Sequence, residues 1–153
     1  MKALIVYGGW DGHEPAQVAK IFEKALAAKG ATVELSDTLD VLLDAGKLAS
    51  MDVIVMHWTC GKMTPEQWKG VNDAVRSGVG LAGVHGGAGD AFRDNLEYQW
   101  MVGGQFVGHP HVGEYEVRLT PVQSPITAAH RAGTSVRDAR MNLISRSVSD
   151  SLR

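Results

Sequence analysis

A histidine stands at a glycine-rich turn in the stretch LAGVHGGAGD, residues 81–90. The apolar run 79–85 predicts a buried strand, and Gly86 and Gly87 follow it at once. The pattern G-V-H-G-G has the form of a nucleophile elbow, in which small neighbours let the chain bend sharply after a strand. Imidazole does not form the usual acyl or thioester intermediate, but it can act as a general base, bind a metal or hydrogen-bond a substrate. We therefore predict that His85 is catalytic or ligand-binding, against the alternative of a histidine satisfied by backbone groups at a strand end.

Other histidines follow predicted strands or loops and extend this hypothesis. The segment GHPHVG, residues 108–113, holds His109 and His111 two positions apart, so both side chains can face one way in an extended loop. Together with His13 and His85 they supply four imidazoles, enough in number for a zinc site. The spacing matches no strong metal signature such as H-E-x-x-H, which leaves ordinary hydrogen-bonding loop histidines as the alternative. Zinc is thus the only cofactor candidate, and His109 is the second candidate for proton transfer.

A wider set of glycine, aromatic and acidic residues follows the predicted strands and is expected to bind a ligand. Its tryptophans and tyrosine could form the flat stacking wall that sugars use, although some of these rings must belong to the core. GGWDGHE lacks the G-x-G-x-x-G pattern of dinucleotide sites. Cys60 is a lone cysteine without an elbow, and we expect it to be inert. The predicted ligand-binding residues are Gly9, Trp10, Asp11, His13, Trp58, Gly86, Gly87, Asp90 and Tyr98.

These residues need a scaffold that brings them together, and the hydrophobic pattern supplies one. Strands and helices alternate along the chain, which predicts right-handed crossovers and a five-stranded, mostly parallel sheet with helices on both faces. In such a sheet the ligand lies beyond the carboxyl ends of the strands, where the glycine-rich loops fall. The predicted strands are 3–7, 31–36, 52–58, 79–85 and 115–120, and the predicted helices are 15–29, 38–46, 65–77 and 95–102.

Composition limits the classes of protein that this chain can represent. Its 153 residues, 44% hydrophobic and 21% charged, suit one globular domain with a single core. A formal net charge of −2 favours neither nucleic acid nor an anionic membrane as a partner. One cysteine excludes an internal disulfide, and the sequence shows neither a signal peptide nor an apolar run long enough for a membrane span. These features predict a cytoplasmic protein.

Residues 128–153 differ in composition from the body of the chain. They carry five arginines and two aspartates, a local balance of +3. Val136, Met141, Ile144 and Val148 fall at roughly helical spacing, which predicts one amphipathic helix. Such a helix is marginal alone, so we expect it to pack on the sheet or on a neighbouring subunit, the latter giving a homo-oligomer.

Several long stretches resemble the ThuA-like family, the trehalose-utilisation proteins: LIVYGGWDGHEP, GLAGVHGGAGDAFRDNLEYQWMVGGQFVGHP and the YEV…SPIT that follows. The resemblance covers about residues 3–127, so we divide the chain into a ThuA-like α/β domain, 1–127, and an atypical tail, 128–153. After SPIT the family continues through an acidic, tyrosine-rich segment that this sequence lacks.

The resemblance implies a flavodoxin-like three-layer α/β sandwich, related to class I glutamine amidotransferases but without their cysteine at the elbow. It also implies a role in the metabolism of trehalose or related keto-disaccharides, with a small carbohydrate as the partner and a hydrolase or lyase type of activity. The alternative is a binding module that has lost its nucleophile and only holds a small molecule. A conventional amidotransferase is excluded because neither Cys nor Ser occupies position 85.

Overall fold

The computed structural model describes residues 1–109 and the strands 115–118, 135–139 and 145–147. The chain divides into two compact units. The first comprises Met1–Gln105 with Arg146–Arg153, and the second comprises Phe106–Ser145.

The first unit contains a four-stranded parallel sheet in the order β2-β1-β3-β4. This is the order of the first four strands of a flavodoxin-like fold, so the predicted fold class is confirmed. The strands are β1 (Lys2–Gly9), β2 (Thr32–Ser36), β3 (Val53–Thr59) and β4 (Gly80–Gly83). The helices are α1 (Pro15–Ala27), α2 (Ala45–Ala49), α3 (Pro65–Arg76), α4 (Gly86–Gly89) and α5 (Leu96–Val102), and 3₁₀ turns lie at Asp11–His13 and Leu39–Leu43.

Two apolar clusters, one on each face of the sheet, show why these strands read as continuous apolar runs. Successive side chains point to opposite faces, so Leu4 and Ile54 enter the larger cluster while Ile5 and Val55 enter the smaller one. Helix α1 covers the smaller cluster through Ala19. Residues of α2, α3 and α5 cover the larger one. Both faces of the sheet are therefore packed, as a parallel sheet requires.

Helix α3 begins where its capping signals predict. The Thr64 hydroxyl accepts from the Gln67 backbone N–H at 3.2 Å, and the Gln67 side chain accepts from the Thr64 backbone N–H at 2.9 Å. Pro65 follows at the first helical position, where its missing N–H costs nothing. The segment 38–46 differs from its prediction as one short helix, because the Asp44 side chain accepts from the Lys47 N–H at 2.9 Å and starts α2 after a 3₁₀ turn.

The prediction of a fifth strand in the parallel sheet is wrong. Residues Tyr115–Arg118 (β6) pair antiparallel with Ser135–Ala139 (β7), and Glu116 lies opposite Arg137. Strands β5 (Gly104–Phe106) and β8 (Ser145–Ser147) form another two-stranded sheet. A short strand can satisfy its backbone groups with any extended neighbour, and the hydrophobic pattern alone does not say which.

Strand β7 also corrects the prediction for residues 128–153. Val136 was expected on an amphipathic helix but lies in β7, where it pairs with Val117. Four apolar residues at helical spacing are a weak signal, and backbone pairing with β6 overrides it. Met141, Ile144 and Val148 lie outside the described residues. Within residues 128–153 the structure describes the strands 135–139 and 145–147, so the domain boundary at 127 stays a prediction.

Within the described residues, none of the helices has the length and apolar character needed to span a membrane.

Candidate functional site

The carboxyl ends of β1, β3 and β4 are followed by the three glycine-rich loops that the sequence singled out. The strand order runs outward from β1 to β2 on one side of the sheet and outward from β3 to β4 on the other. The order therefore changes direction between β1 and β3. In doubly wound sheets the ligand crevice opens at this point, because the loops from the two strands leave in opposite directions. The 3₁₀ turn after β1 and the loop after β3 meet there, since the Trp10 N–H donates to the Thr59 carbonyl at 3.1 Å.

His85 occupies a strained turn between β4 and α4. Its backbone has φ 53° and ψ −145°, a conformation that side chains with a β-carbon rarely adopt. The His85 carbonyl accepts from the N–H groups of Ala88 and Gly89 at 3.1 and 2.8 Å, so the chain turns directly into α4. A Cβ atom at Gly83 would lie 2.8 Å from the Met56 carbonyl oxygen, which explains the need for glycine there. The turn therefore has the strained form of a nucleophile elbow, with imidazole in the nucleophile position.

His13 lies against His85. Their ring centroids are 4.9 Å apart with an interplanar angle of 65°. The Thr59 hydroxyl lies 2.8 Å from Nδ1 of His13 and fixes the ring, because Thr59 is itself only 2% exposed. The two rings are therefore close enough to contact one ligand, and a ligand shared between them stays a prediction.

The two glycines after His85 are in contact with imidazole rings. A Cβ atom on Gly86 would lie 3.0 Å from Nδ1 of His13, and one on Gly87 would lie 2.8 Å from Cε1 of His57. Both glycines are buried. They are needed because any side chain at either position would occupy the space of a ring.

His57 belongs to this cluster, and the sequence analysis missed it. It lies in β3, is 5% exposed, and packs edge-on to Phe22 with centroids 5.8 Å apart. Burial lowers the pKa of His57, and the charges of His13 and then of His85 lower it further, while the His13 backbone opposes the shift. The available signal was a titratable residue inside the apolar run DVIVMHW.

The first loop presents an exposed aromatic ring beside His13. Trp10 is 57% exposed and lies edge-on to His13 with centroids 4.8 Å apart. Gly9 has φ 84°, a value that favours glycine, and its Cβ would lie 2.8 Å from the Thr59 backbone nitrogen. Asp11 is exposed and opens the 3₁₀ turn. Trp10 is therefore the aromatic side chain best placed for a ligand at His13.

Two predicted ligand-binding aromatics instead take part in the core, Trp58 as a partly buried ring and Tyr98 as a fully buried one. Trp58 alternates with His57 and Thr59 along β3, so it lies on the opposite face and packs against the larger core cluster. Tyr98 is 1% exposed and its hydroxyl donates to the Ala88 carbonyl at 3.3 Å. Burial raises the pKa of Tyr98 above its usual range. Tyr98 therefore supports the backbone of α4 from within the core and offers no surface for stacking. Large aromatic side chains fill cores as readily as they line binding sites.

Asp90 closes the end of α4. It is 8% exposed, and its carboxylate accepts two hydrogen bonds from the Arg93 guanidinium at 2.5 and 2.9 Å. The hydrogen bond to Asp90 raises the pKa of Arg93. The Asp90 carbonyl accepts from the Cys60 N–H at 3.0 Å, and Cys60 Sγ lies 3.9 Å from its carboxylate. Asp90 thus connects the loop after β3 to the elbow.

The remaining histidine candidates are His109 and His111. His109 is in the second unit, edge-on to Phe106 with ring centroids 5.0 Å apart, and its role in proton transfer stays a prediction. His111 lies outside the described residues. Among the residues that the structure describes, no three His, Cys, Asp or Glu side chains are grouped to hold a metal ion. The described residues by themselves therefore do not fit a zinc site, which takes three or four protein ligands, and we derive no step through zinc.

The order of the parallel sheet and a histidine at the elbow define a flavodoxin-like α/β protein whose nucleophile position carries imidazole. A family model described as ThuA, trehalose utilisation, matches residues 2–149, and the chain belongs to this family. A crystal structure from Bacteroides uniformis ATCC 8492, described as ThuA-like, is similar with a TM-score of 0.74 and 19% identity. The match covers 96% of this chain and 61% of that one, so this chain spans about three fifths of its length. A search of curated proteins found no match.

Contact between Gly87 and His57 leads to a first prediction. Gly87→Ala should lower the free energy of unfolding by about 1–3 kcal/mol, because the new methyl group collides with a buried ring. Gly89→Ala is the matched control in the same helix. A Cβ atom there meets nothing within 4 Å, so stability should change by less than about 1 kcal/mol. Urea denaturation measures both, and equal stability of the two variants would contradict the contact.

The buried imidazole leads to a prediction about pH. Because the folded-state pKa of His57 is lowered, its neutral form contributes stability that is complete above the unfolded-state pKa near 6.5. This stability is lost as the pH falls below that value, since the unfolded chain then takes up a proton more readily. His57→Phe should therefore lose less stability than the wild type between neutral and mildly acidic pH. Urea titrations across this range measure the difference, and parallel curves would refute the assignment.

Proposed function

We propose that this protein acts on a small sugar, trehalose or a related keto-disaccharide, at the carboxyl ends of β1, β3 and β4. The adjacent His13 and His85 rings, 4.9 Å apart beside an exposed tryptophan, carry this proposal. Family membership supports the link to trehalose utilisation. Because the chain spans 61% of its structural relative, activity of the whole protein is part of the proposal.

Trp10 is the proposed stacking surface for the sugar. Carbohydrates present apolar C–H faces that pack on aromatic rings, and Trp10 offers a ring that is 57% exposed. Its edge-on contact with His13 places a ligand on Trp10 next to an imidazole. Sugar binding and proton transfer would then take place at neighbouring side chains.

His13 and His85 are the proposed acid–base pair. Imidazole exchanges protons near neutral pH, so one neutral ring can accept a proton while a protonated neighbour donates one. Thr59 fixes His13 through Nδ1, and the elbow fixes His85 through its backbone. A keto-disaccharide suits this pair, since removing a proton beside its carbonyl and protonating the leaving oxygen require one base and one acid. Both steps conserve charge without a covalent enzyme intermediate.

Trp10 can be tested against a matched tryptophan. Trp10→Ala should weaken binding of trehalose or its keto derivative about fivefold or more, because stacking on an aromatic ring contributes on the order of 1 kcal/mol. Trp100→Ala is the control, since Trp100 is 58% exposed on α5. Isothermal titration calorimetry measures both. Equal affinities of the two variants would remove Trp10 from the site, and absence of binding by the wild type would overturn the sugar assignment.

His85 separates catalysis from binding alone. His85→Ala should abolish turnover of the sugar, because the variant lacks one member of the proposed acid–base pair. The fold should stay intact, because a half-exposed side chain contributes little packing. Circular dichroism checks the fold, and product analysis by mass spectrometry follows turnover. Wild-type turnover in this variant would exclude His85 as acid or base. If the wild type binds the sugar without converting it, the protein is the binding module considered as the alternative.

A further inference from the structure

The Thr59 hydroxyl is held where it has one hydrogen-bond partner. Thr59 is the last residue of β3 and is 2% exposed, so its side chain is shielded from bulk water. Nδ1 of His13, 2.8 Å away, is the one partner of this hydroxyl among the described residues. The backbone of Thr59 is anchored as well, because its carbonyl accepts from the Trp10 N–H at 3.1 Å. The sheet therefore fixes the hydroxyl that binds His13.

The direction of this hydrogen bond follows from the two groups that make it. A hydroxyl has one hydrogen to donate, whereas Nδ1 of a neutral imidazole either accepts a hydrogen bond or carries the ring hydrogen. If Nδ1 donated, the hydroxyl hydrogen would be buried without an acceptor among the described residues, which opposes folding. The neutral ring avoids this cost by accepting at Nδ1. Its own hydrogen then lies on Nε2.

The other contacts of His13 leave Nε2 accessible to a ligand. A Cβ atom on Gly86 would lie 3.0 Å from Nδ1, so the elbow packs against the side of the ring that Thr59 binds. Nε2 has no hydrogen-bond partner in the described part of the chain, and His13 is partly exposed. The neighbouring His57 differs, because it is 5% exposed and neither of its nitrogens has a partner among the described residues. Of these two rings, His13 is the one that a ligand can meet.

We propose that Thr59 is a positioning residue that keeps a hydrogen on Nε2 of His13 and so makes His13 the hydrogen-bond donor of the site. A charged His13 keeps the same arrangement, since its Nδ1–H donates to the Thr59 oxygen while Nε2 still carries a hydrogen. The ligand atom that meets His13 is therefore an acceptor, such as a carbonyl or ether oxygen. A neutral imidazole can polarise a carbonyl group in this way.

This arrangement divides the roles of the acid–base pair, and that consequence rests on the proposed function. His13 is the acid and His85 is the base. His85 takes the proton beside the carbonyl of the keto-disaccharide, and the electron pair of that C–H bond forms a C=C bond. The C–O bond to the leaving sugar breaks, and the leaving oxygen takes the Nε2 proton of charged His13. The remaining hydrogen of His13 stays on Nδ1 against Thr59.

Nitrogen-15 NMR of the imidazole rings tests where the hydrogen lies, in the ligand-free protein at a pH of about 8, where histidine is neutral. The His13 signals are identified by their loss in His13→Gln. We expect the wild type to carry its hydrogen on Nε2. Thr59→Val should show both tautomers, because neither nitrogen then has a partner among the described residues. Thr59→Ser should restore the wild-type spectrum, and Thr32→Val, at an exposed position of β2, is the control that should leave it unchanged.

A hydrogen on Nδ1 in the wild type would overturn the proposal, and so would an unchanged His13 spectrum in Thr59→Val. If Thr59→Val does not fold, the wild-type spectrum decides, because it reports which nitrogen carries the hydrogen. Turnover of the keto-disaccharide is measured in parallel. Thr59→Val should lower kcat about tenfold or more, and Thr59→Ser should retain most of it. If the wild type does not convert the sugar, the proposed function fails, whereas the nitrogen spectrum still decides the role of Thr59.

Discussion

The backbone at His85 is the constraint on which the arrangement of the site depends. A residue with a β-carbon at φ 53° and ψ −145° costs on the order of 1–3 kcal/mol, so the surrounding structure has to hold it. Two hydrogen bonds from α4 to the His85 carbonyl and the close approach of Gly83 to β3 provide this support. The same sharp turn brings Gly86 and Gly87 onto the rings of His13 and His57. A relaxed turn would separate the three imidazoles.

The site contains features that lower the stability of the fold, and the packed core of the same unit compensates for them. A strained turn and a buried, unpaired imidazole both oppose folding, whereas the two core clusters are apolar and closely packed. Among the described residues, three of the four non-glycine residues with positive φ, namely Glu14, Cys60 and His85, lie in the loops that follow β1, β3 and β4. This distribution is the one expected when a rigid parallel sheet supports a functional region at its carboxyl edge.

An imidazole at the elbow changes what this position can do. Cysteine or serine there would attack a carbonyl group, but histidine at the same place favours proton transfer without a covalent intermediate. The one cysteine of the chain, Cys60, follows β3 and contacts Asp90, so it does not replace the missing nucleophile at the elbow. The fold of this family is thus combined with a different set of reactive groups, which is consistent with function being set by the site rather than by the fold.

The sequence by itself determined the four parallel strands, the start of α3 and the glycine turn at His85, because these depend on local periodicity, capping and backbone freedom. It also indicated that His13 and His85 would meet, since parallel strands end at one edge. Only the tertiary structure decided that Trp58 and Tyr98 face the core and that His57 joins the cluster, because alternation along β3 and contacts from distant loops set these orientations. The pairing of β6 with β7 was likewise decided by the tertiary structure, because the sequence of a short strand does not specify which strand its backbone pairs with.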